Sequence, residues 1–319
     1  MLETVGGAVA ESVTRRLGGH AVAGAVVFWT VGGLWYLLNG SRVPGCPGGD
    51  SVVGRLTCPV AANPTLSSVV VAVLAASVVV SSSAVVAAAA PRLVHTMAGS
   101  GWAMTAPGAW IAERRRAAQQ QRRNRLAELQ AGDHTWQRVS REARLRSWPK
   151  GRDARIAPTR LGNVFAAAAQ RVANRHGLNL GVCWEAQVAV LPEIARSALV
   201  EQSTIVQSRV QHMVWTAAAA LWALLVPTGV GPVAWITLCT GLTWVIYVGV
   251  CHACQAYGDM VEGIVATHRM ALYRALGFAA PVSLAAERQL GALVSRLLGG
   301  AGVAAEHVRF VDCTRPMDT

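Results

Sequence analysis

Charged side chains are scarce in this 319-residue chain: they make up 14% of it, whereas soluble domains carry about a quarter. The mean hydropathy of +0.36 is also high for a soluble domain. Lysine is almost absent, since Lys150 is the only one, and seven cysteines are too few for a disulfide scaffold at this length. These shortages argue against an ordinary soluble domain and against a disulfide-rich secreted protein, and they favour a membrane protein.

Three stretches lack Asp, Glu, Lys and Arg altogether: Leu17 to Ser41, Leu56 to Pro91, and Val210 to Gly258. A membrane span needs about 20 apolar residues, so the third stretch is long enough for two spans. Its middle, Pro227-Thr-Gly-Val-Gly-Pro232, is typical of a hairpin turn. We therefore predict an all-α fold: a four-helix transmembrane protein with a helical cytoplasmic domain, its spans at about 20–39, 66–90, 212–227 and 232–251.

The remaining charge is basic and unevenly placed. The chain has 29 Lys and Arg against 17 Asp and Glu; residues 92–209 hold 19 of the basic residues and 8 of the acids, while 40–65 has two arginines and one aspartate. Because positive charge near a membrane collects on the cytoplasmic side, we expect an inner-membrane protein with both termini cytoplasmic. The predicted order is a cytoplasmic N-terminal segment (1–19), a transmembrane hairpin with a short outer loop (20–90), a basic helical cytoplasmic domain (91–209), a second transmembrane hairpin (210–251) and cytoplasmic C-terminal helices (252–319).

The predicted outer loop contains Cys46 and Cys58 in a segment rich in proline and glycine. This topology places both thiols in the more oxidising compartment, where a disulfide can persist. We predict that they pair; the alternative is two unpaired thiols.

The predicted spans contain no Asp, Glu, Lys or Arg, which argues against an ion-coupled transporter. The second span is rich in alanine and serine, and such small residues let helices pack closely, so we expect this span to be buried against other helices. Its Ser81-Ser-Ser83 run would also fit a pore wall if several copies met around an axis. Tryptophans near the ends of spans are expected to anchor at the membrane interface.

The segment 110–148 is helix-permissive and rich in arginine. At about 100° per residue its six clustered arginines point in nearly all directions, which argues against one groove-reading face. A solvated or lipid-facing helix, a partner for an acidic protein and a nucleic-acid-binding helix all remain open. The candidate anion-binding residues are Arg114, Arg115, Arg116, Arg122, Arg123 and Arg125.

Helix signals are clearest after this segment. Thr159 is a candidate N-cap and Gly177 a candidate C-terminal stop for an amphipathic helix. Leu191-Pro-Glu193 begins another helix, which we expect to continue into the third span. Beyond the fourth span the apolar periodicity predicts separate amphipathic helices around 257–272 and 283–297.

Chemical motifs are few. Cys251-His-Ala-Cys254 has the spacing of a metal or redox pair, but a closed zinc site needs four ligands, so small apolar thiols at a helix end are the favoured reading. Nucleotide-binding and hydrolase motifs are absent from the sequence, and its acids are scattered among arginines. We expect Asp259 and Glu262 to cap a helix or pair with Arg269. The sequence therefore predicts no enzyme, no cofactor, no metal site and no catalytic residue.

Several short motifs resemble those of a known family. They are Pro158-Thr-Arg-Leu-Gly-Asn163, Arg175-His-Gly-Leu-Asn179, Trp184, Leu191-Pro192, His268-Arg269, Leu272-Tyr-Arg-Ala-Leu276, Pro281 and Glu287-Arg288. Over about 155–290 the chain resembles a family of bacterial, largely actinobacterial, multi-pass integral membrane proteins with a TRLGN-type motif. The family pattern would have an aromatic residue at His176, an acid at Asn179 and a Trp-Pro pair at Trp184-Glu185, where this chain departs from it.

The resemblance implies an architecture and no activity. Within its motif Arg160 and Asn163 are the candidate functional residues. The alternative is that Arg160 pairs with the polar end of a neighbouring helix and that Asn163 is a structural hydrogen-bonding residue.

Together these features predict a non-enzymatic, oligomeric inner-membrane assembly or pore-like component. Its expected partners are the lipid bilayer, further copies of the chain and, through 110–148, an acidic protein or nucleic acid. The alternative is a membrane-tethered nucleic-acid-binding protein acting in plasmid transfer or spread, because the layout is similar to that of membrane proteins that spread plasmids between streptomycete hyphae. A receptor is disfavoured, since an outer loop of about 25 residues is too short to build a ligand pocket.

Overall fold

The computed structural model describes residues 22–35, 64–99, 101–102, 105–128, 142, 145–150, 156–225 and 230–300. It is 87% helical and contains no strand among these residues, which confirms the predicted all-α class. The main helices in the described ranges are α1 (Val22–Trp35), α2 (Pro64–Met97), α3 (Ala106–Glu128), α4 (Arg160–His176), α5 (Leu180–Ala189), α6 (Glu193–Ala219), α7 (Val230–Ala275) and α8 (Leu284–Leu298); a 3-10 helix, Ala220–Leu225, follows α6.

The chain divides into two compact units. Among the described residues, the polar unit consists of those within 91–206 and 250–300, and the apolar unit consists of those within 22–90 and 207–249. Helices α2, α6 and α7 contribute residues to both units.

Two of the described helices are long and apolar enough to cross a membrane. They are α2, over Ala72–Met97, and α7, over Val230–Ala275. Helix α1 is apolar but shorter in its described part. The sequence prediction of four spans goes beyond these two helices.

The polar unit is built around α4, which begins and ends where its capping residues predict. The Thr159 hydroxyl accepts a hydrogen bond from the Gly162 amide at 3.0 Å, and Gly177 ends the helix with a left-handed φ of 73°. Helices α5 and α8 pack against α4. A Cβ at Gly291 of α8 would collide with the carbonyl oxygen of His176, so the glycine allows α8 to cross the end of α4 at close range.

Helix α7 corrects one prediction. The fourth predicted span and the amphipathic segment around 257–272 form a single continuous helix from Val230 to Ala275 rather than two. The junction, Cys251-His-Ala-Cys-Gln-Ala-Tyr257, holds no proline or glycine, so nothing there ends the helix. The predicted hairpin turn before it lies largely outside the described residues.

Aromatic side chains fill the interior of the apolar unit. Trp215 and Trp222 pack on the α1 backbone where Gly24 and Gly32 leave room, since a Cβ at either glycine would collide with an indole ring. Trp35 stacks on Trp235 with ring centroids 4.6 Å apart. The expectation that these tryptophans act as interfacial anchors is therefore wrong for Trp215, which is only 7% exposed. The space that Gly24 and Gly32 leave for the two indole rings is not visible in the hydrophobic periodicity of the sequence.

Candidate functional site

The family-like motif surrounds the start of α4. Asn163 is 1% exposed, and its amide group donates to the carbonyl oxygens of Ala157 at 3.1 Å and Thr159 at 2.9 Å. Its side-chain oxygen accepts from the Ala157 amide at 2.8 Å. These three bonds tie the 156–159 turn to the helix, so the side chain is engaged within the chain and does not face solvent.

Arg160, the other candidate in the motif, is partly exposed. Within the described part of the chain its guanidinium makes no hydrogen bond or ion pair. The structure therefore does not bring Arg160 and Asn163 together in one hydrogen-bond network: Asn163 is buried and bonded to the 157–159 backbone, whereas Arg160 is partly exposed and takes no part in those bonds.

Five of the six clustered arginines of α3 are exposed, and Arg123 is partly exposed. Arg123 donates to the carbonyl oxygen of Pro149 at 3.3 Å, and nearby Ala112 is 1% exposed, so this side of α3 packs within the polar unit. The arginines are thus divided by the fold. Arg116 and Arg123 lie towards the packed side, whereas the solvent side carries Arg114, Arg115, Arg122 and Arg125.

Two large apolar side chains share this solvent side. Trp110 is 56% exposed and Ile111 is 42% exposed. The Arg114 guanidinium lies over the Trp110 ring at 4.2 Å from its centroid, a cation–π contact. We refer to Trp110, Ile111, Arg114, Arg115, Arg122 and Arg125 as the basic face.

A buried charged cluster joins three helices of the polar unit. Glu287 of α8 is 3% exposed; its carboxylate accepts from Arg269 Nε of α7 at 2.5 Å and from His176 Nδ1 of α4 at 2.6 Å. Arg269 Nη1 also donates to the Ala266 carbonyl. Burial alone would raise the pKa of Glu287, but the bonds and charges of Arg269 and His176 lower that pKa below its ordinary value. A carboxylate held ionised in this way is a structural anchor and a poor general acid.

A second ionic network corrects the predicted pairing of Asp259 and Glu262. Both pair with Arg171 of α4, whose Nη2 lies 3.0 Å from Asp259 Oδ1 and whose Nε lies 2.7 Å from Glu262 Oε2. Arg146 contacts the same two carboxylates, each at 3.3 Å. The predicted partner, Arg269, pairs with Glu287 of α8 instead, since Asp259 and Glu262 lie about two turns or more before Arg269 on α7. Burial works to raise the pKa of Glu262, but the two arginines lower it overall.

The cysteines at 251 and 254 are both buried. Burial raises the pKa of the Cys254 thiol to about 12, so it stays protonated at neutral pH and is a poor metal ligand or nucleophile. Among the described residues no group of three or more His, Cys, Asp or Glu side chains is arranged to hold a metal ion. Cys46 and Cys58, the predicted disulfide, lie outside the described residues.

The apolar unit contains a partly open pocket of about 370 Å³. Phe28, Trp215 and Trp235 form much of its wall, with His212 and Thr216 as polar neighbours. The Thr216 hydroxyl already donates to the His212 carbonyl at 2.8 Å. The lining therefore suits apolar contents and offers few groups that could orient a polar substrate.

Helix α2 does not behave as predicted. We expected its small residues to be buried against other helices, but only 6% of its apolar stretch is buried. Its inner side does pack: Ser82 accepts a hydrogen bond from Trp29 Nε1 at 3.2 Å, and Ser83 is 4% exposed. The prediction failed because one chain supplies neighbours for only one side of this helix.

The outward side of α2 carries a stripe of small residues at i, i+4, i+7 and i+11 spacing. We call it the small-residue stripe; it consists of four exposed residues, Ser77, Ser81, Ala84 and Ala88. The hydroxyls of Ser77, Ser82 and Ser83 donate to carbonyls of their own helix, whereas that of Ser81 makes no bond within the described residues. Of the predicted pore-wall run only Ser81 therefore faces outward.

Sequence reasoning missed His176, Arg269 and Glu287 as a cluster. All three stand in the family-like motifs, which was the one available signal, but 111 residues separate His176 from Glu287, and no spacing rule links them. No protein-family model, curated protein or solved structure matches the chain. The resemblance to the multi-pass family therefore stays a prediction.

Proposed function

We propose that the protein is a non-enzymatic, homo-oligomeric component of the cell membrane that crosses the bilayer four times, with both termini in the cytoplasm. The observation that carries the proposal is the small-residue stripe, which is exposed on a helix apolar enough to span a membrane. Close helix packing in lipid depends on such residues, because they let two backbones approach.

The composition of the apolar unit supports four spans. Among its described residues Arg209 is the only Asp, Glu, Lys or Arg, and its Nη1 donates to the Gly249 carbonyl at 2.9 Å. Its four helical segments carry no other charged residue of these four types, and aromatic side chains connect α1 with the other three. Trp29 bonds to Ser82 of α2, Phe28 packs against Trp215 of α6, and Trp35 stacks on Trp235 of α7. Segments without charge that pack on one another are what a bundle in lipid requires.

Assembly through α2 is favoured over a serine-lined pore. Two of the three serines in the 81–83 run point into the chain or bond to their own helix. The remaining outward hydroxyl, Ser81, sits between Ser77 and Ala84, where a second copy of α2 could lie close and accept its hydrogen bond.

The non-enzymatic part of the proposal is supported by the state of the buried acids. Glu287 and Glu262 are the least exposed ion-paired carboxylates in the part of the chain that the structure describes, and both are paired with arginines. Ionised, paired carboxylates of this kind stabilise a fold and do not exchange protons near neutral pH.

The test compares leucine substitutions on two sides of α2 in the full-length protein. Ser81→Leu with Ala84→Leu fills the stripe, while Ala75→Leu and Val78→Leu add bulk at exposed positions away from it. Mass photometry in mild detergent and blue-native gels should show an oligomer for the wild type and both controls. The stripe variant should dissociate at a protein concentration at least about tenfold higher.

A wild-type protein that is monomeric at every concentration would overturn the oligomer. So would a stripe variant that assembles as tightly as its controls. Carbonate extraction of native membranes tests the spans separately: a protein that leaves the membrane at high pH is not an integral one.

The alternative function, a membrane-tethered nucleic-acid-binding protein, would use the exposed arginines of α3. It predicts that full-length protein in lipid nanodiscs binds duplex DNA with an affinity that falls steeply with salt, by about 0.9 per neutralised phosphate on a double-logarithmic plot. Absence of binding at low salt removes this alternative.

A further inference from the structure

The basic face of α3 has a composition that neither packing within the polar unit nor oligomerisation through α2 explains. On a helical wheel with 100° per residue and Arg114 at 0°, the six residues of the basic face lie within an arc of roughly 140°. From residue 110 to residue 125 this surface is about 22 Å long. From residue 110 to residue 125 the only acid of the helix is Glu113, which is exposed and lies outside the arc.

The start of α3 is held close to the end of α2. Trp102 Nε1 donates to the Thr96 carbonyl in the last turn of α2 at 2.8 Å. The carbonyl oxygen of Trp102 lies against Gly108, where a Cβ would collide with it. Gly108 also donates to the Thr105 hydroxyl, which caps α3. The basic face therefore begins in the second turn of α3, a helix whose start is tied to the end of a candidate membrane span.

We propose that the basic face lies on the membrane surface and binds anionic lipid headgroups. An interfacial helix combines arginines with an exposed indole and an aliphatic side chain, and Trp110, Ile111 and the four arginines provide that combination. Juxtamembrane arginines are attracted to anionic headgroups, and the indole and the isoleucine enter the headgroup region. The proposal rests on the membrane insertion of α2 and is independent of oligomerisation.

Lipid fits this surface better than nucleic acid does. The basic face contains one indole, Trp110, and one side of that ring is already covered by Arg114, so it offers little platform for stacking a base. Ile111 gains nothing from a phosphate backbone, whereas at a bilayer its side chain leaves water. The nearness of α3 to the end of α2 brings it to headgroups without any further motion of the chain.

The test uses full-length protein in nanodiscs and follows amide hydrogen exchange by mass spectrometry. Discs of phosphatidylcholine are compared with discs that also contain phosphatidylglycerol. In the anionic discs the amides of 106–128 should exchange at least about fivefold more slowly, the factor that one arginine contributes at an anionic surface. The difference should shrink in high salt, while exchange in 160–176 should be equal in both discs.

Two matched charge variants assign the effect. Arg114, Arg115, Arg122 and Arg125 are changed to Gln in one, and in the other Arg175, Arg274, Arg288 and Arg296, four exposed arginines elsewhere in the polar unit, are changed to Gln. Both lower the net charge from +12 by the same four units. Only the first should lose the lipid-dependent protection of 106–128, and circular dichroism should show equal helix content in both.

Three outcomes would overturn the proposal: equal exchange in the two kinds of disc, protection that survives in the basic-face variant, or protection in neutral discs on addition of duplex DNA. Failure of the proposed membrane insertion looks different, because the protein would then separate from the discs in high salt.

Discussion

The buried carboxylate of Glu287 offers the sharpest test of the polar unit. It is 3% exposed and joins α8 to α4 and α7 through His176 and Arg269. Glu287→Gln keeps the size of the side chain and one acceptor oxygen but removes the negative charge. We expect this substitution to loosen the contact between α4 and α8 without changing the helices themselves.

The magnitude follows from the burial of the partners. Removing one member of a fully buried ion pair costs about 3–5 kcal/mol, because the other charge is left without compensation. The Arg269 side chain is 20% exposed and can regain some water, and glutamine retains one hydrogen bond. We therefore expect the free energy of opening this region to fall by about 2–3 kcal/mol, a roughly 30- to 160-fold faster exchange of protected amides.

The matched control is Glu193→Gln. Glu193 also pairs with an arginine, Arg196, but at 3.5 Å on the surface, where its side chain is 82% exposed. Exposed pairs of this kind contribute about 0.2–1 kcal/mol. Hydrogen exchange of the full-length protein, read at 160–176 and 284–298, should respond strongly to the substitution at Glu287 and barely to the one at Glu193.

Equal, small effects of the two substitutions would refute the reasoning, since they would mean that Glu287 is not a buried anchor. Faster exchange in α2 to the same extent as in α4 and α8 would also contradict it, because the loss would then be general unfolding and not the loss of one local cluster.

Three further predictions concern pH and glycine packing. Because the pKa of Glu287 is lowered in the folded state, the ionised carboxylate should stabilise the fold fully above the ordinary carboxyl pKa of about 4.3. This stabilisation should be lost as the pH falls below that value. Melting temperatures measured from pH 7 to pH 3 should therefore fall more for the wild type than for Glu287→Gln. Gly291→Ala should lower the free energy of unfolding of the polar unit by about 2 kcal/mol, because the new Cβ would collide with the end of α4. Gly263→Ala, which has open space around it, should raise that free energy by up to about 1 kcal/mol. Denaturant titration of the two variants measures both changes. Gly32→Ala should destabilise the apolar unit by about 1–3 kcal/mol because the Trp222 indole fills that position, and Gly33→Ala should not. Equal melting temperatures of the two variants in one detergent would contradict this prediction.

The helix ends of the polar unit could be predicted because their signals are local. Thr159 and Gly177 act on amides and carbonyls within one turn, so the residue types alone specify where α4 begins and ends. The predicted start of α6 after Pro192 is likewise correct. The continuity of α7 was missed because a change from apolar to amphipathic periodicity was taken for a break, although no helix-ending residue stands between the two patterns.

The candidate sites were harder to predict because they depend on distant residues. Arginines were visible in the sequence, but their division into a packed side and a basic face follows from what covers α3 at Ala112 and Arg123. Asp259 and Glu262 were given the wrong partner because Arg171 is 88 residues away from Asp259 in the chain. Pairs of residues that are distant in the chain produce no periodic pattern from which their contact could be predicted.

The sequence by itself determined the all-α class, the placement of uncharged segments and the capped ends of α4, since each depends on residue type within a few positions. Only the tertiary structure decided which acid pairs with which arginine, which glycines contact an indole, and that the small-residue stripe of α2 is exposed while Ser83 on the same helix is buried. Those outcomes depend on the direction in which each helix side points once neighbouring helices are in place, and residue type within a few positions does not specify that direction.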